Sequence, residues 1–398
     1  MMQARLLSRA VVLVVTGLVA GVGWAGEIDV VSRGAKGDGV ADDTAAFVAA
    51  FKAGLDVYVP AGTYLIDDLT LPENGYLHGA GRASTILLKS GEGAIRPGSG
   101  CRISNLHFTG QDAFDAKPAG NQGKALINIP QGHNITIDHV RIDNYRFTGL
   151  HTDHVTDLRI TNSHFENLNW AIILVFSNRV LVQGNRVINT MQHGIQFWGN
   201  WKFERMEMSD LAFIGNYVKD GGNGAIWGTG ARRVIMANNI IDGATDVGLD
   251  LEWCADSTIT GNTVRNCVVA GIALFFASER VSITGNTVIN DRPIDDPDAK
   301  WFVRAGIWLT PPNREKFKND YGHRDVAIVG NTIHSPQDGS RRGMWIGSEV
   351  KNVTIESNAL SGPGIYYGGH HAVHPLRLEQ ISQPVVLDAR PTPDEPKF

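Results

Sequence analysis

The sequence predicts an all-β chain wound as a single right-handed parallel β-helix, and three observations predict it. From about residue 149 a short phrase recurs at a near-constant interval. Within each phrase apolar and polar residues alternate with period two, and an asparagine returns at the same place in successive phrases. Period-two alternation rich in Val and Ile is a strand signal rather than a helical one, and self-similarity at an interval of this size marks a stacked architecture.

The phrases are GLHTD, AIILV, GIQFW, AIWGT, GLDLE, GIALF, GIWLT, GMWIG and GIYYG, starting at residues 149, 171, 194, 225, 248, 271, 306, 343 and 364. The spacings are 22, 23, 31, 23, 23, 35, 37 and 21. A unit of 21 to 23 residues holds three short strands and three turns per coil. The longer intervals are the same coil carrying inserted loops, at about 198–210, 291–303 and 311–325. The second strands place Asn185, Asn216, Asn239, Asn262, Asn286, Asn331 and Asn358 at one turn. This predicts an internal asparagine ladder, each side chain satisfying the turn backbone of its own coil and its neighbour; Asn also tolerates the left-handed conformation of tight turns.

The opening MMQARLLSR, with two arginines and no acid, precedes the apolar run AVVLVVTGLVAGV and then Gly23-Trp24-Ala25. This pattern reads as a secretory leader over 1–25 with cleavage after Ala25, shorter than the ~20 apolar residues of a membrane span. The mature chain is expected to be soluble, secreted or periplasmic. A β-helix grows by stacking, so 26–375 reads as one solenoid domain and 376–398 as a tail. Glycine, at 45 of 398 residues, suits a turn-rich β architecture. Net charge is −5 with both signs spread along the chain, which offers neither a basic face for nucleic acid nor a polybasic membrane patch. Cys101, Cys254 and Cys267 are too few for a disulfide scaffold and match no zinc spacing, leaving a 254–267 disulfide open.

Near the mature N-terminus stands VVSRGAKGDGVADDTAAFVAAF, followed by VYVPAGTYLI. Here the chain resembles the pectate-lyase superfamily of right-handed β-helices, over about residues 28–370. The resemblance implies a fold and a broad role on carbohydrates rather than one reaction. Neither an Asp-Pro-His motif nor a Gly-His-Gly signature is present, so the resemblance transfers no site residue. Gly34, Gly37 and Gly39 allow a tight turn. Asp42 or Asp43 suits the cap of a short helix over about 44–53 that covers the open end of the solenoid.

Candidate site residues follow from the strand pleat. In each phrase the first and third residues after the Gly or Ala point inward, and the second and fourth point outward. The outward set includes Gln196, Trp198, Trp227, Asp250, Glu252, Phe275, Trp308 and Trp345. Coils lie ~4.8 Å apart, so Trp198, Trp227, Phe275, Trp308 and Trp345 form an aromatic stripe about 25–30 Å long, the length of several sugar units. Indoles stack on pyranose faces, which makes the stripe a set of sugar platforms; the competing reading is that inserted loops bury it as a secondary core or that it contacts protein.

Asp250 and Glu252 leave one strand on the same face with Cα atoms ~6.5–7 Å apart. A glycosidase needs one carboxylic acid and one carboxylate, about 6.5–9.5 Å apart for inversion and about 5–5.5 Å for retention. Asp246 adds a third acid, and Trp227 and Phe275 on adjoining coils exclude water and raise a carboxyl pKa. The bland alternative is solvated surface charge. Arg304 and Arg341 recur two residues before the Gly, where a guanidinium clamps a sugar carboxylate. His151, Asp153 and His154 lie four coils away, ~19 Å, too far to share one centre. His193 is expected to support the Gln196 coil.

These residues predict an exported enzyme that cleaves glycosidic bonds in a polysaccharide or oligosaccharide, a glycoside hydrolase first. Asp250 and Glu252 are acid and base, Asp246 supports them, and Gln196, Trp198, Trp227, Phe275, Arg304, Trp308, Arg341 and Trp345 bind substrate. No metal or other cofactor is called for. A lyase or C5-epimerase of uronic acids is the alternative, with Ca²⁺ as its added ion, and a non-catalytic glycan-binding or polysaccharide-export protein is the third.

Overall fold

The computed structural model describes residues 26–89, 93–200, 204–291, 304–336, 341–347, 349–362, 364–367 and 377–379. The leader over 1–25, most of the insertion at 291–303 and most of the tail at 376–398 lie outside the described residues. The chain forms a right-handed parallel β-solenoid of about 13 turns. One coil illustrates the rest: strands Gly224–Thr229, Ala231–Ala237 and Ile240–Ala244 follow one another, and Val247–Glu252 opens the next coil. The second strand of each coil stacks into one continuous sheet of 14 strands, from Ile28–Asp29 to Arg377–Glu379. The last of these falls within the segment read as a tail and extends the same sheet.

The inward residues of each phrase build the core. Leu249, Leu251, Ile272, Leu274, Ile307 and Leu309 are fully buried in one apolar cluster that runs the length of the solenoid. The phrase-opening glycines sit where the third strand turns into the next first strand. A Cβ on Gly271 would lie 2.4 Å from Val288 Cγ1, so close packing at this corner explains the residue.

The asparagine ladder is present. The backbone N–H of each of Asn185, Asn216, Asn239, Asn262, Asn286 and Asn331 donates to Oδ1 of the next ladder asparagine at 2.8–3.0 Å. Each side-chain amide donates to a carbonyl of the preceding coil, as Asn262 does to Met236 at 2.9 Å. The left-handed position is one residue earlier than the asparagine. Gly184, Gly215, Gly261, Gly285 and Gly330 hold φ between 64° and 67° there, which explains the Gly-Asn pairs as a turn glycine followed by a ladder amide.

A helix spans Thr44–Ala53 and buries Ala46, Phe47, Ala50 and Phe51. Asp42 Oδ1 accepts the Thr44 N–H at 3.0 Å. Asp43 instead accepts the N–H groups of Lys36 at 2.6 Å and Gly37 at 3.1 Å, holding the glycine turn against the helix. Cys101, Cys254 and Cys267 are all free and buried, so the bridge left open between Cys254 and Cys267 is not formed. Among the described residues no helix is long and apolar enough to cross a membrane.

Candidate active site

Strand register sets the outward face. Gln196 pairs with Trp227, Trp227 with Asp250, Asp250 with Ala273, Ala273 with Trp308 and Trp308 with Trp345. A second row runs from Asp153 through Val175, Trp198, Thr229 and Glu252 to Phe275. The pleat therefore places Asp250 and Glu252 side by side with a tryptophan column behind them. Asp246 lies at the bend just before the same strand, in the column that leads to Arg304 and Arg341.

Asp250 is 2% exposed, whereas Glu252 and Asp246 keep partial exposure. Burial raises the Asp250 carboxyl well above its ordinary range, and the negative charges of Glu252 and Asp246 push it further in the same direction. Burial likewise raises Glu252. The Trp227 indole, whose Nε1–H donates to Glu252 Oε1 at 3.2 Å, and the Lys316 cation oppose that rise, while Asp246 adds to it. Burial alone lifts Asp246 to about 6. Adjacent carboxyls that resist a second negative charge hold a proton between them near neutrality, which supplies one acid and one base.

Aromatic rings and polar atoms shape the approach from the lower-numbered coils. Trp198 and Trp227 are half-buried, with ring centroids 5.4 Å apart. His193 stacks on Trp227 at 4.9 Å, and burial drops its pKa to about 4, leaving it neutral. Gln196 Oε1, Thr229 Oγ1 and Asp250 Oδ1 are buried with no hydrogen-bond partner among the described residues. Unsatisfied buried polar atoms are uncommon and call for water or ligand.

The other half of the stripe differs from its expectation. Phe275, Trp308 and Trp345 are 8%, 0% and 5% exposed and pack with Val247, Val269, Ala270, Ala273 and Ala305 in a second apolar cluster. They are not exposed platforms. The arginines differ too: Arg304 is buried, and Arg341 is fully enclosed, its Nη1 donating to Asn290 Oδ1 at 2.5 Å and to the Cys267 carbonyl at 3.2 Å. An arginine that ties the turns of two coils together is not presented to a sugar carboxylate. The residues the sequence did not single out as site components are His193 and Lys316. The two-rung offset of His193 from Asp250 was a readable signal; the approach of Lys316 depends on how its loop folds.

His151 bonds Asn128 Oδ1 at 3.2 Å, and His154 bonds Asp153 Oδ1 at 2.6 Å. Four rungs separate this cluster from Asp250, as the register requires. Among the described residues no group of three or more His, Cys, Asp or Glu side chains is arranged to hold a metal ion.

Residues 28–273 match the family model described as rhamnogalacturonase A/epimerase, pectate lyase-like. A preneck appendage protein of Bacillus phage PZA is 44% identical over 61 residues, which are 15% of this chain and only 7% of that protein. The A-module of the Azotobacter vinelandii mannuronan C-5 epimerase AlgE4 has a TM-score of 0.71 at 17% identity, covering 90% of this chain and 100% of that one. The catalytic unit of a GH87 α-1,3-glucanase from Streptomyces thermodiastaticus has a TM-score of 0.57 at 17% identity, covering 88% of this chain and 67% of the other. Both structural likenesses are likenesses of fold.

Proposed function

The chain belongs to the rhamnogalacturonase A/epimerase, pectate lyase-like family, and on that premise we propose that it is an exported hydrolase cleaving glycosidic bonds in a polysaccharide. The observation that carries the reading is the Asp250–Glu252 pair, both raised by burial, Asp250 further by the charges of Glu252 and Asp246 and Glu252 further by that of Asp246, with a tryptophan bonded to Glu252. In the reaction the protonated member of the pair gives its proton to the leaving glycosidic oxygen. The ionised member accepts a proton from the attacking water or attacks the anomeric carbon itself, according to the separation of the two groups when substrate is bound. Asp246 tunes the pair through its charge. Trp198 and Trp227 provide apolar faces for sugar rings, and Gln196 and Thr229 provide unsatisfied oxygens for hydroxyls.

Lys316 favours a second reading, a lyase or C5-epimerase acting on uronic acids, because its positive charge acts on the Glu252 carboxyl and would be neutralised by a uronate carboxylate. The GH87 and epimerase neighbours support activity on polysaccharide without choosing between the two. We also assign the helix Thr44–Ala53 the role of covering the first coil, where an open sheet edge would recruit another strand.

The test is incubation of the purified protein with a panel of neutral and uronic-acid polysaccharides, recording reducing ends and the ultraviolet absorbance of unsaturated uronate. Hydrolysis predicts new reducing ends without absorbance. Both signals together favour the lyase, and saturable binding to a glycan without turnover on any substrate favours a binding protein.

A further inference from the structure

We infer that the site is a dead-end pocket that takes the terminus of a glycan chain, so that the enzyme trims from one end instead of cutting internally. The inference rests on the proposed cleavage at Asp250 and Glu252 and concerns where the polymer can run on either side of them.

Along the solenoid axis the two directions from Glu252 are unlike. Toward lower-numbered coils each rung keeps one partly exposed residue, Trp227, Trp198, Val175 and Asp153 in turn, beside the buried Thr229, Gln196 and Ile173. Toward higher-numbered coils, exposure stops at the next rung. Phe275, Thr310, Ala273, Trp308 and Trp345 are each 8% exposed or less. Ala273, Phe275, Trp308 and Trp345 pack together in one apolar cluster, so their faces are not open to further sugar units.

The face is also closed to one side. Just beyond Glu252 the chain turns at Trp253, which is 6% exposed and packs with Ala277, Met206, Phe276 and Phe317. Met206 comes from one inserted loop and Phe317 from another, so the two loops meet there. The Phe276 and Phe317 rings stand 4.5 Å apart, edge to face. The second loop is held by the buried Asp320, whose Oδ1 accepts the N–H groups of Ala277 and Gly322, each at 3.0 Å, and whose Oδ2 accepts that of Asn313 at 2.7 Å. A carboxylate that satisfies three backbone donors inside the protein fixes the loop as a wall. Among the described residues, a polymer lying over Glu252 therefore meets packed side chains on two sides and has the Trp227–Trp198 path along which to continue.

The test uses the full chain and whichever polysaccharide in the panel is cleaved, following viscosity, reducing ends and product length together. The expected result is one short oligosaccharide size from the earliest time points, with viscosity falling only in proportion to mass released. Phe317→Ala, which thins the wall, should raise the share of longer products several-fold. Rapid viscosity loss with a ladder of intermediate lengths, in an activity that Glu252→Gln removes, would overturn the pocket while leaving the catalytic reading intact. Activity that survives Glu252→Gln, or no activity on any substrate, overturns both.

Discussion

Glu252→Gln is expected to lower kcat by about 10²–10⁴-fold, the range for loss of a positioned proton donor or acceptor, and to leave the fold unchanged or more stable at neutral pH. The activity loss follows from removing one member of the acid pair that the pleat aligns beside Trp227. The Gln side chain keeps an oxygen to accept the Trp227 N–H. The stability gain follows from proton linkage. Asp246, Asp250 and Glu252 all hold protons more tightly in the folded protein than unfolded, since each pKa is raised. Their contribution to stability is complete below the unfolded carboxyl pKa of about 4 and is lost as pH rises through the folded values, which begin at about 6 with Asp246. Denaturant titrations at pH 5 and pH 8 check the sign: the variant should gain on wild type at the higher pH. A variant that loses stability there while losing activity would make Glu252 a structural residue.

Trp308→Ala is expected to cost about 3–5 kcal/mol of stability, as for other large aromatic truncations in packed cores, because the indole is fully buried among Ala273, Ala305, Phe275 and Trp345. Trp198→Ala should cost much less, its ring being half-exposed, and should instead raise KM several-fold. A urea melt and a substrate titration on each variant separate the two. The contrast divides the stripe into a buried half that supports the wall and an open half that meets substrate. Equal stability losses would contradict that division.

Much of this was legible in the sequence, for identifiable reasons. The coil repeat appears because each 21–23-residue unit must bury the same inward positions, and period-two alternation then assigns every side chain a face. Trp227, Asp250, Ala273 and Trp308 accordingly fall in one row, as the strand pairings have them. The ladder was legible because a stacked amide must recur at one turn in every coil. What was not legible depends on loops. Nothing periodic in residues 311–323 says that Asp320 will anchor them over Ala277 or that Phe317 will pack beside Trp253, and the repeat alone could not choose between an exposed stripe and the buried secondary core that Phe275, Trp308 and Trp345 form. Arg341 looked like a surface partner of Arg304 because both stand at one repeat position, yet its guanidinium turns inward to Asn290 and the Cys267 carbonyl. The left-handed turn position was displaced by one because Gly and Asn are adjacent and both suit it.

The proposed chemistry depends on carboxyls that repel one another's ionisation. The pH dependence of kcat/KM in wild type and Asp246→Asn tests it most directly. The expected result is a bell-shaped profile whose alkaline limb lies well above the ordinary carboxyl range, and a shift of that limb toward lower pH in Asp246→Asn, because removing a neighbouring negative charge eases ionisation of Asp250 and Glu252. An alkaline limb that stays in place in the variant would contradict it.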